Sequence, residues 1–286
     1  MRRGAGWQWL VLGSASLNAC AGGAPLLHPA HTLPENQVSV AAGTTGHFTL
    51  GSLQRADRRL DAAAAMPGGV NETRDIDGFV QGALTRFAVA PGVAPFVAAR
   101  VGLGGHNEAG LTYTARAFRL DGRHAVEWPS VALSFGAVAT GVLSRPGDEP
   151  SRRIEDEPGG STGFRTFGLT SLKGYGLELP LLFGYRSDAD VVKLWAGVRA
   201  GLERDSANVT LVFAPDAAVS SRADATRFWG GGLVGFSVGL APIEVRVELD
   251  AAYQSIHGSL LTGQGERSAN VAGWSLTPAM AISAKL

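Results

Sequence analysis

Histidine and serine residues are the side chains of this sequence that offer nucleophilic chemistry. A serine hydroxyl becomes a nucleophile when a histidine within hydrogen-bond reach accepts its proton. Three histidines are candidates, and two of them have a hydroxyl or a carboxylate close by in the sequence. The candidates are His47, His106 with Glu108, and His257 with Ser255 and Ser259. The sequence leaves open whether any of these groups meet in space.

A metal or cofactor site has less support. His28 and His31 lie close together with Glu35 as the nearby carboxylate, so a two-histidine site is conceivable. The single cysteine, Cys20, excludes a multi-cysteine zinc site. No HExxH, GxSxG or Walker motif occurs, and the glycines at 230–232 do not separate a strand from a helix. The sequence therefore predicts no metal and no cofactor.

Charged residues of both signs recur on the polar side of alternating segments. If the apolar side of each segment faces outward, these charges face one another across a narrow interior. Buried single charges are costly, so we expect them to pair and to close the interior. The predicted lumen charge network comprises Arg100, Arg116, Glu178, Lys193, Arg199, Glu203, Glu244, Arg246, Glu248 and Asp250.

The composition argues against two classes of protein, nucleic-acid-binding proteins and disordered proteins. The chain has 286 residues, with 25 basic and 25 acidic side chains and therefore no net charge. This balance argues against a nucleic-acid-binding protein, which usually carries a basic surface. Charged residues make up only 17% of the chain, whereas glycine is abundant with 39 residues. A low charge content with ordinary hydrophobicity also argues against disorder.

Alternation of apolar and polar residues predicts an all-β protein. It is clearest at 243–253 and 192–203, and at 175–185 the apolar face is aromatic at both ends and aliphatic between. Such long strands and such a band favour a transmembrane barrel, because a tilted strand crosses a bilayer in about 9–11 residues. The soluble alternative is a sandwich or barrel that turns the same apolar face inward. We predict an antiparallel up-and-down transmembrane β-barrel.

We predict about ten strands, with eight or twelve as alternatives. Short connections at 91–93, 121–123, 187–189 and 241–242 alternate with connections at 51–75, 104–108, 145–162, 205–224 and 258–267, of which only 104–108 is short. Short periplasmic turns and long extracellular loops alternate in this way in outer-membrane barrels. A short helix is expected at 52–65. The predicted strands are 36–50, 76–90, 94–103, 109–120, 124–144, 163–186, 190–204, 225–241, 243–257 and 268–286.

The N-terminus has the layout of an export signal, with Arg2 and Arg3 followed by an apolar stretch. Leu-Asn-Ala-Cys at 17–20 resembles a bacterial lipobox, which implies lipidation of Cys20. Ordinary cleavage after Ala21, which discards Cys20, is the alternative. The predicted organisation is a signal peptide at 1–19, a lipid anchor and flexible tether at 20–35, and a barrel domain at 36–286.

As a whole, the chain resembles the small outer-membrane β-barrel proteins of Gram-negative bacteria. The resemblance implies residence in the bacterial outer membrane, contact with membrane lipid, and the barrel-insertion machinery as a partner. In that family the final residue is commonly an aromatic that faces lipid, whereas this chain ends in Leu286. Some barrel enzymes of this membrane, the lipid A-modifying acyl enzymes and the omptin proteases, place catalytic residues at the extracellular rim.

The predicted function is structural or surface-interacting, through loops at 51–75, 145–162 and 205–224, and no enzyme activity is predicted. The first alternative is a narrow channel or transporter lined by the charge network. The second is an enzyme at the rim, where our topology places His47, His106 and His257. The third is a soluble, lipid-anchored periplasmic barrel that binds an apolar ligand.

Overall fold

In the computed structural model, a closed antiparallel barrel of ten strands is formed by the described residues, which are 23–65, 76–114, 116–143, 166–214, 217–262 and 265–286. None of the helices in these ranges is long and apolar enough to cross a membrane. The elements are β1 (Val38–Thr49), α1 (Ser52–Ala65), α2 (Ile76–Val89), β2 (Gly92–Gly104), β3 (Asn107–Thr114), β4 (Ala117–Glu127), β5 (Val131–Leu143), β6 (Thr166–Arg186), β7 (Val192–Ala214), β8 (Ala217–Leu240), β9 (Ile243–Thr262) and β10 (Gly265–Lys285).

The strands follow one another around the barrel in chain order, and β1 closes it by pairing with β10. The amide of Val38 donates to the carbonyl of Leu286, so the first and last strand ends lie side by side. Short turns join the strands at this end, whereas β1 and β5 finish, and β2 and β6 begin, at the opposite end. The fold class and the strand number predicted from sequence are confirmed, and we call the two ends the periplasmic and the outer end.

Two parts of the predicted strand pattern are wrong. Residues 76–90 are mostly the helix α2 and not a strand, because Phe79, Leu84 and Phe87 are apolar on a helical face that sequence alternation does not reveal. The two strands predicted at 109–120 and 124–144 are three, because β3 ends at Thr114 and β4 begins at Ala117, and Trp-Pro-Ser at 128–130 separates β4 from β5. These two errors compensate, which leaves the count at ten.

Several predicted connections are strand instead. Residues 121–123 lie inside β4 and do not form a turn. Residues 205–214 and 217–224 continue β7 and β8, and most of 258–267 belongs to β9 and β10. The turn at 104–108 lies at the periplasmic end and not at the outer end. Strands of 20 to 24 residues therefore project well beyond the outer side of a bilayer.

The apolar side of the strands faces outward. Leu179 is 58% exposed and Leu182 only 1% exposed on the same strand. The band from Tyr175 to Tyr185 spans about 25 Å once strand rise and tilt are allowed for, which matches the apolar belt of a membrane barrel. Val245 on β9 likewise points out of the barrel. This arrangement contradicts the soluble alternative, in which these faces would line the interior.

Helices α1 and α2 fill the outer half of the barrel interior. Leu53 and Leu60 of α1 and Leu84 and Phe87 of α2 are buried with apolar side chains that point inward from the strands. The two helices lie close together, since a Cβ at Gly82 would come within 2.5 Å of the carbonyl oxygen of Ala56. The expected helix at 52–65 is present, and it belongs to a packed core rather than to a surface loop.

The outward apolar band predicts position-dependent effects of charge. Leu179→Arg puts a charge at the middle of the belt and should cost about 2–4 kcal/mol of unfolding free energy. Leu261→Arg makes the same change on an outward side chain far toward the outer end and should cost at most about 1 kcal/mol. Urea unfolding of the barrel in lipid vesicles measures both. Equal losses would contradict the assignment of the belt.

Candidate functional site

Residues 23–35, the lumen segment, lie inside the barrel. Asn36 donates its amide to the carbonyl of Gly102 at the periplasmic end, and from there the segment runs back toward the outer half. Gly23 lies against Gly46 and Thr277, close to the end of α2. Composition predicted a flexible tether here, whereas these described residues are packed and hydrogen-bonded.

Acidic and basic wall residues bind the backbone of the lumen segment. Both carboxylate oxygens of Glu248 accept amide hydrogens, from Leu26 and Leu27, at 2.9 Å each. The guanidinium groups of Arg119 and Arg199 donate to the carbonyl of Ala24 at 3.0 and 2.8 Å. An irregular buried segment needs such partners because its own backbone forms no ladder.

The same pattern continues toward the periplasmic end. Arg123 donates to the carbonyls of Pro29 and His31. Glu108 accepts from the amide of Leu33 at 2.9 Å. Glu127 accepts from both the amide and the hydroxyl of Thr32 at 2.7 Å. The periplasmic half of the lumen is thus filled by peptide that wall charges hold in place.

All ten residues of the predicted charge network lie inside the barrel and are buried. Glu178 pairs with both Arg119 and Arg199, and Arg199 also binds Asp250 at 2.6 Å. Glu248 uses its oxygens on the lumen segment and on the indole of Trp195. The remaining members form the pairs Arg100–Glu108, Arg116–Glu203, Lys193–Glu244 and Arg246–Glu244.

A second cluster lies beside Gly23, below the end of α2. Arg116 donates to the carbonyl of Phe87 at 2.9 Å and to Asp205 at 3.1 Å. Arg227 binds Glu203 at 3.0 Å. The adjoining cavity is about 60 Å³, room for a few water molecules. The charged cluster therefore joins the helical filling of the outer half to the lumen segment.

The periplasmic mouth carries its own ion cluster. Glu244 binds Lys193 at 2.5 Å and Lys285 at 2.8 Å. Asp190, in the turn between β6 and β7, binds the same two ammonium groups at 3.2 and 3.1 Å. Burial acts to raise the pKa of Asp190, but Lys285 and Lys193 together hold it below its ordinary value.

Part of this lumen differs from the sequence prediction. Arg119, Asp121 and Arg123 alternate along β4 and point inward. The turn composition of Asp-Gly-Arg predicts a turn at 121–123, whereas the period-two spacing of the three charges indicates a strand, which the structure has. Glu108 was assigned to an outer loop, and it is almost fully buried in the lumen.

The histidines do not gather at one rim. His47 is buried in the lumen, with its Nε2 3.3 Å from the side-chain nitrogen of Gln254. His106 lies at the periplasmic turn, 3.9 Å from Glu127, so its predicted position at the outer rim is wrong. His28 and His31 are buried in the lumen segment. Among the described residues, no group of histidine, cysteine and carboxylate side chains is suited to a metal ion.

His257 does meet a hydroxyl. The Oγ of Ser255 lies 3.2 Å from its Nε2, and the Oδ1 of Asn270 lies 2.8 Å from its Nδ1. The three side chains are on the outward surface of β9 and β10. Ser255 and His257 are candidates from the sequence, whereas Asn270 is not, because only the register of β9 on β10 brings it opposite His257.

No family model and no curated protein matches the chain. Among solved structures, the outer membrane protease OmpT of Escherichia coli is 12% identical over 89% of this chain and 99% of that one, with a TM-score of 0.41. A major outer membrane protein of Thermus thermophilus is 12% identical over 88% and 100%, with a TM-score of 0.34. The attachment invasion locus protein Ail of Yersinia pestis is 8% identical over 88% and 100%, with a TM-score of 0.28.

These similarities concern the barrel fold alone. The structure itself has a closed sheet, a lipid-facing apolar band with aromatic ends, and short turns at the end where the first and last strands meet. These are the features of barrels of the bacterial outer membrane, as the sequence predicted.

Glu248 offers a test of how the lumen segment is held. Glu248→Ala leaves the amides of Leu26 and Leu27 and the indole of Trp195 without an acceptor. Each buried unpaired donor costs about 1–3 kcal/mol, so a loss of several kcal/mol in unfolding free energy is expected. Asp224→Ala removes an exposed ion pair with Arg222 and should cost at most about 1 kcal/mol.

Urea unfolding in vesicles measures both variants, and Glu248→Gln should fall between them because it keeps an acceptor oxygen. Protease cleavage within residues 23–35 should become faster in Glu248→Ala alone. If Glu248→Ala behaves like Asp224→Ala, the carboxylate does not hold the segment.

Proposed function

We propose that this protein is a sealed outer-membrane barrel with a structural or surface-interaction role at its outer end. The observation that carries the proposal is the filling of the lumen from both ends. The lumen segment occupies the periplasmic half, and α1 and α2 occupy the outer half. A filled lumen favours a structural or surface-interaction role over transport of a solute through the barrel.

The outer end offers polar groups for contact with other molecules. Arg55, Arg58 and Arg59 of α1 are on the exposed side of the helix. Arg86 of α2 binds Asp57 at 2.8 Å and so fixes one helix on the other. The projecting parts of β7 and β8 stand beside them. The predicted interaction loop at 205–224 is thus replaced by extensions of β7 and β8, and the loop predicted at 145–162 lies outside the described residues.

The rival function, a narrow channel, is lined by the same charged residues. It would need a continuous aqueous path past Arg119, Arg199 and Glu178. In the described part of the chain these side chains are bound to one another and to the carbonyl of Ala24. A continuous aqueous path would require the lumen segment to move out of the barrel.

Conductance across a planar bilayer decides between the two functions. We expect the full chain to give no steady conductance in 1 M KCl, because both halves of the lumen are filled. The variant Arg119→Ala/Arg123→Ala weakens the hold on the lumen segment and should still be closed by α1 and α2. Steady nanosiemens conductance of the unmodified protein would overturn the proposal in favour of a channel.

The position of Gly23 bears on the processing of Cys20, which lies outside the described residues. A lipid anchor at Cys20 must reach the inner leaflet near the periplasmic end. Three further residues extend at most about 11 Å. Gly23 lies at the level of Gly46, which is about 20 Å above Val38 along the barrel axis, because eight residues of a tilted strand separate the two. A seated lumen segment therefore supports cleavage after Ala21 over lipidation.

Intact mass of the protein purified from membranes tests this proposal. The expected mass is that of the chain beginning at Gly22, without a lipid. A mass that includes an acylated Cys20 would instead support the lipobox prediction and would require the lumen segment to lie outside the barrel in the mature protein. Cys20→Ser serves as the control, because it blocks lipidation and leaves ordinary cleavage possible.

A further inference from the structure

Three outward-facing polar side chains form a hydrogen-bonded line across β9 and β10. His257 is directly opposite Asn270 in the register, and Ser255 is two residues away on the same face. The Oγ of Ser255 lies 3.2 Å from the Nε2 of His257, and the Nδ1 of His257 lies 2.8 Å from the Oδ1 of Asn270. All three are open to the surroundings and not to the lumen.

The order of these contacts fixes the role that each group can take. An amide oxygen only accepts hydrogen bonds, so Asn270 Oδ1 selects the tautomer of His257 with hydrogen on Nδ1. The Nε2 atom then carries its lone pair toward the hydroxyl of Ser255. A nucleophile, a base and a group that orients the base are the arrangement by which serine is activated in hydrolases.

The site lies at the outer edge of the lipid-facing band. Tyr253, two residues before Ser255 on β9, pairs with Trp274 on β10, and their rings touch with centroids 5.6 Å apart. Aromatic residues of a barrel mark the level where acyl chains meet headgroups. Ser255 is two residues farther along β9, about 7 Å along the strand, which is the depth of headgroups and ester linkages.

A basic residue is in register with the site. Thr226 on β8 is paired with His257, and Arg204 on β7 is paired with Thr226. Arg204 faces outward. Two strand spacings separate it from His257, about 10 Å. A cation at this distance favours a lipid whose headgroup carries phosphate, and the hydroxyl of Thr226 lies in register between the two.

We propose that Ser255, His257 and Asn270 form a hydrolase site that cleaves the acyl ester of a phosphate-bearing lipid in the outer leaflet. This goes beyond the sealed-barrel function, which needs no chemistry. Ser255 and His257 are the catalytic residues, and Asn270 is a positioning residue. The bilayer presents the substrate, so an open outward surface suffices in place of a pocket.

Ser255 Oγ attacks the ester carbonyl while its proton passes to Nε2 of His257. The bond to the lipid alcohol breaks, and His257 returns the proton to the departing alkoxide, which leaves an acyl group on Ser255. Water then attacks this acyl ester and gives its proton to His257. The fatty acid leaves, and the proton returns to Ser255. Water is the only co-reactant, and no electron transfer is needed.

The test uses the full chain in vesicles of phosphatidylethanolamine and phosphatidylglycerol, with release of fatty acid as the readout. Ser255→Ala should abolish release, and His257→Ala should lower it by about 10²–10⁴-fold, the usual contribution of a general base. Ser259→Ala is the matched control, since Ser259 is also on the outward face of β9. It should keep the rate of the unmodified protein. A second arm with lipopolysaccharide in place of phospholipid distinguishes the two sources of the ester.

Labelling by a fluorophosphonate gives a readout that does not depend on the lipid. The unmodified protein and Ser259→Ala should be labelled, whereas Ser255→Ala should not. Asn270→Ala should slow labelling, and Asn270→Asp should restore it, because either oxygen can orient the imidazole. A merely structural role of Asn270 would leave the labelling rate of folded protein unchanged.

Two outcomes overturn the proposal. One is the absence of both labelling and ester cleavage with either lipid in a barrel that retains its heat-dependent gel mobility. The other is cleavage that persists unchanged in Ser255→Ala. Cleavage of one lipid class that depends on Ser255 and His257 supports the proposal and identifies the substrate.

Discussion

A barrel that turns its apolar side toward lipid must keep its polar side within, and this constraint governs the interior. Buried charges are tolerated when each has partners of good geometry. Arg199 illustrates the solution, since it binds Asp250, Glu178 and the carbonyl of Ala24 and lies 4.8 Å from the ring of Trp229. The charged residues of the barrel wall thus pair with one another and form hydrogen bonds with the backbone of the lumen segment.

The two halves of the interior need different fillings for the same reason. Where inward side chains are charged, an extended peptide supplies amides and carbonyls to them. In the outer half, inward side chains such as Val209 and Ile256 are apolar, and the helices α1 and α2 provide the apolar surface that packs against them. Arg116 links the two regions, because it binds both the end of α2 and the carboxylate of Asp205.

The alternation of apolar and polar residues determined how much of the fold and of the lumen could be predicted from the sequence. Period-two patterning assigns a face to each residue without knowledge of its neighbours, so the inward charges and the outward band follow from sequence. Helix α2 was missed because only Asp77, Gln81, Thr85 and Arg86 are polar in Ile76–Val89, and their helical spacing is a weak signal among ten apolar or glycine positions. The contact of Glu248 with Leu26 joins residues 222 positions apart, and Asn270 reaches His257 only through register. Neither of these two contacts can be predicted from the residues that are adjacent in the sequence.

The lumen segment also bears on how the molecule is assembled. It directly precedes β1, and β1 seals the barrel against β10, the last strand to be made. The lumen segment is hydrogen-bonded to several strands around it, so it cannot easily enter the barrel after β1 and β10 have paired. The lumen segment must therefore enter before or while β1 pairs with β10. In this order of assembly, residues 23–35 already lie inside an open sheet when the last strand is added.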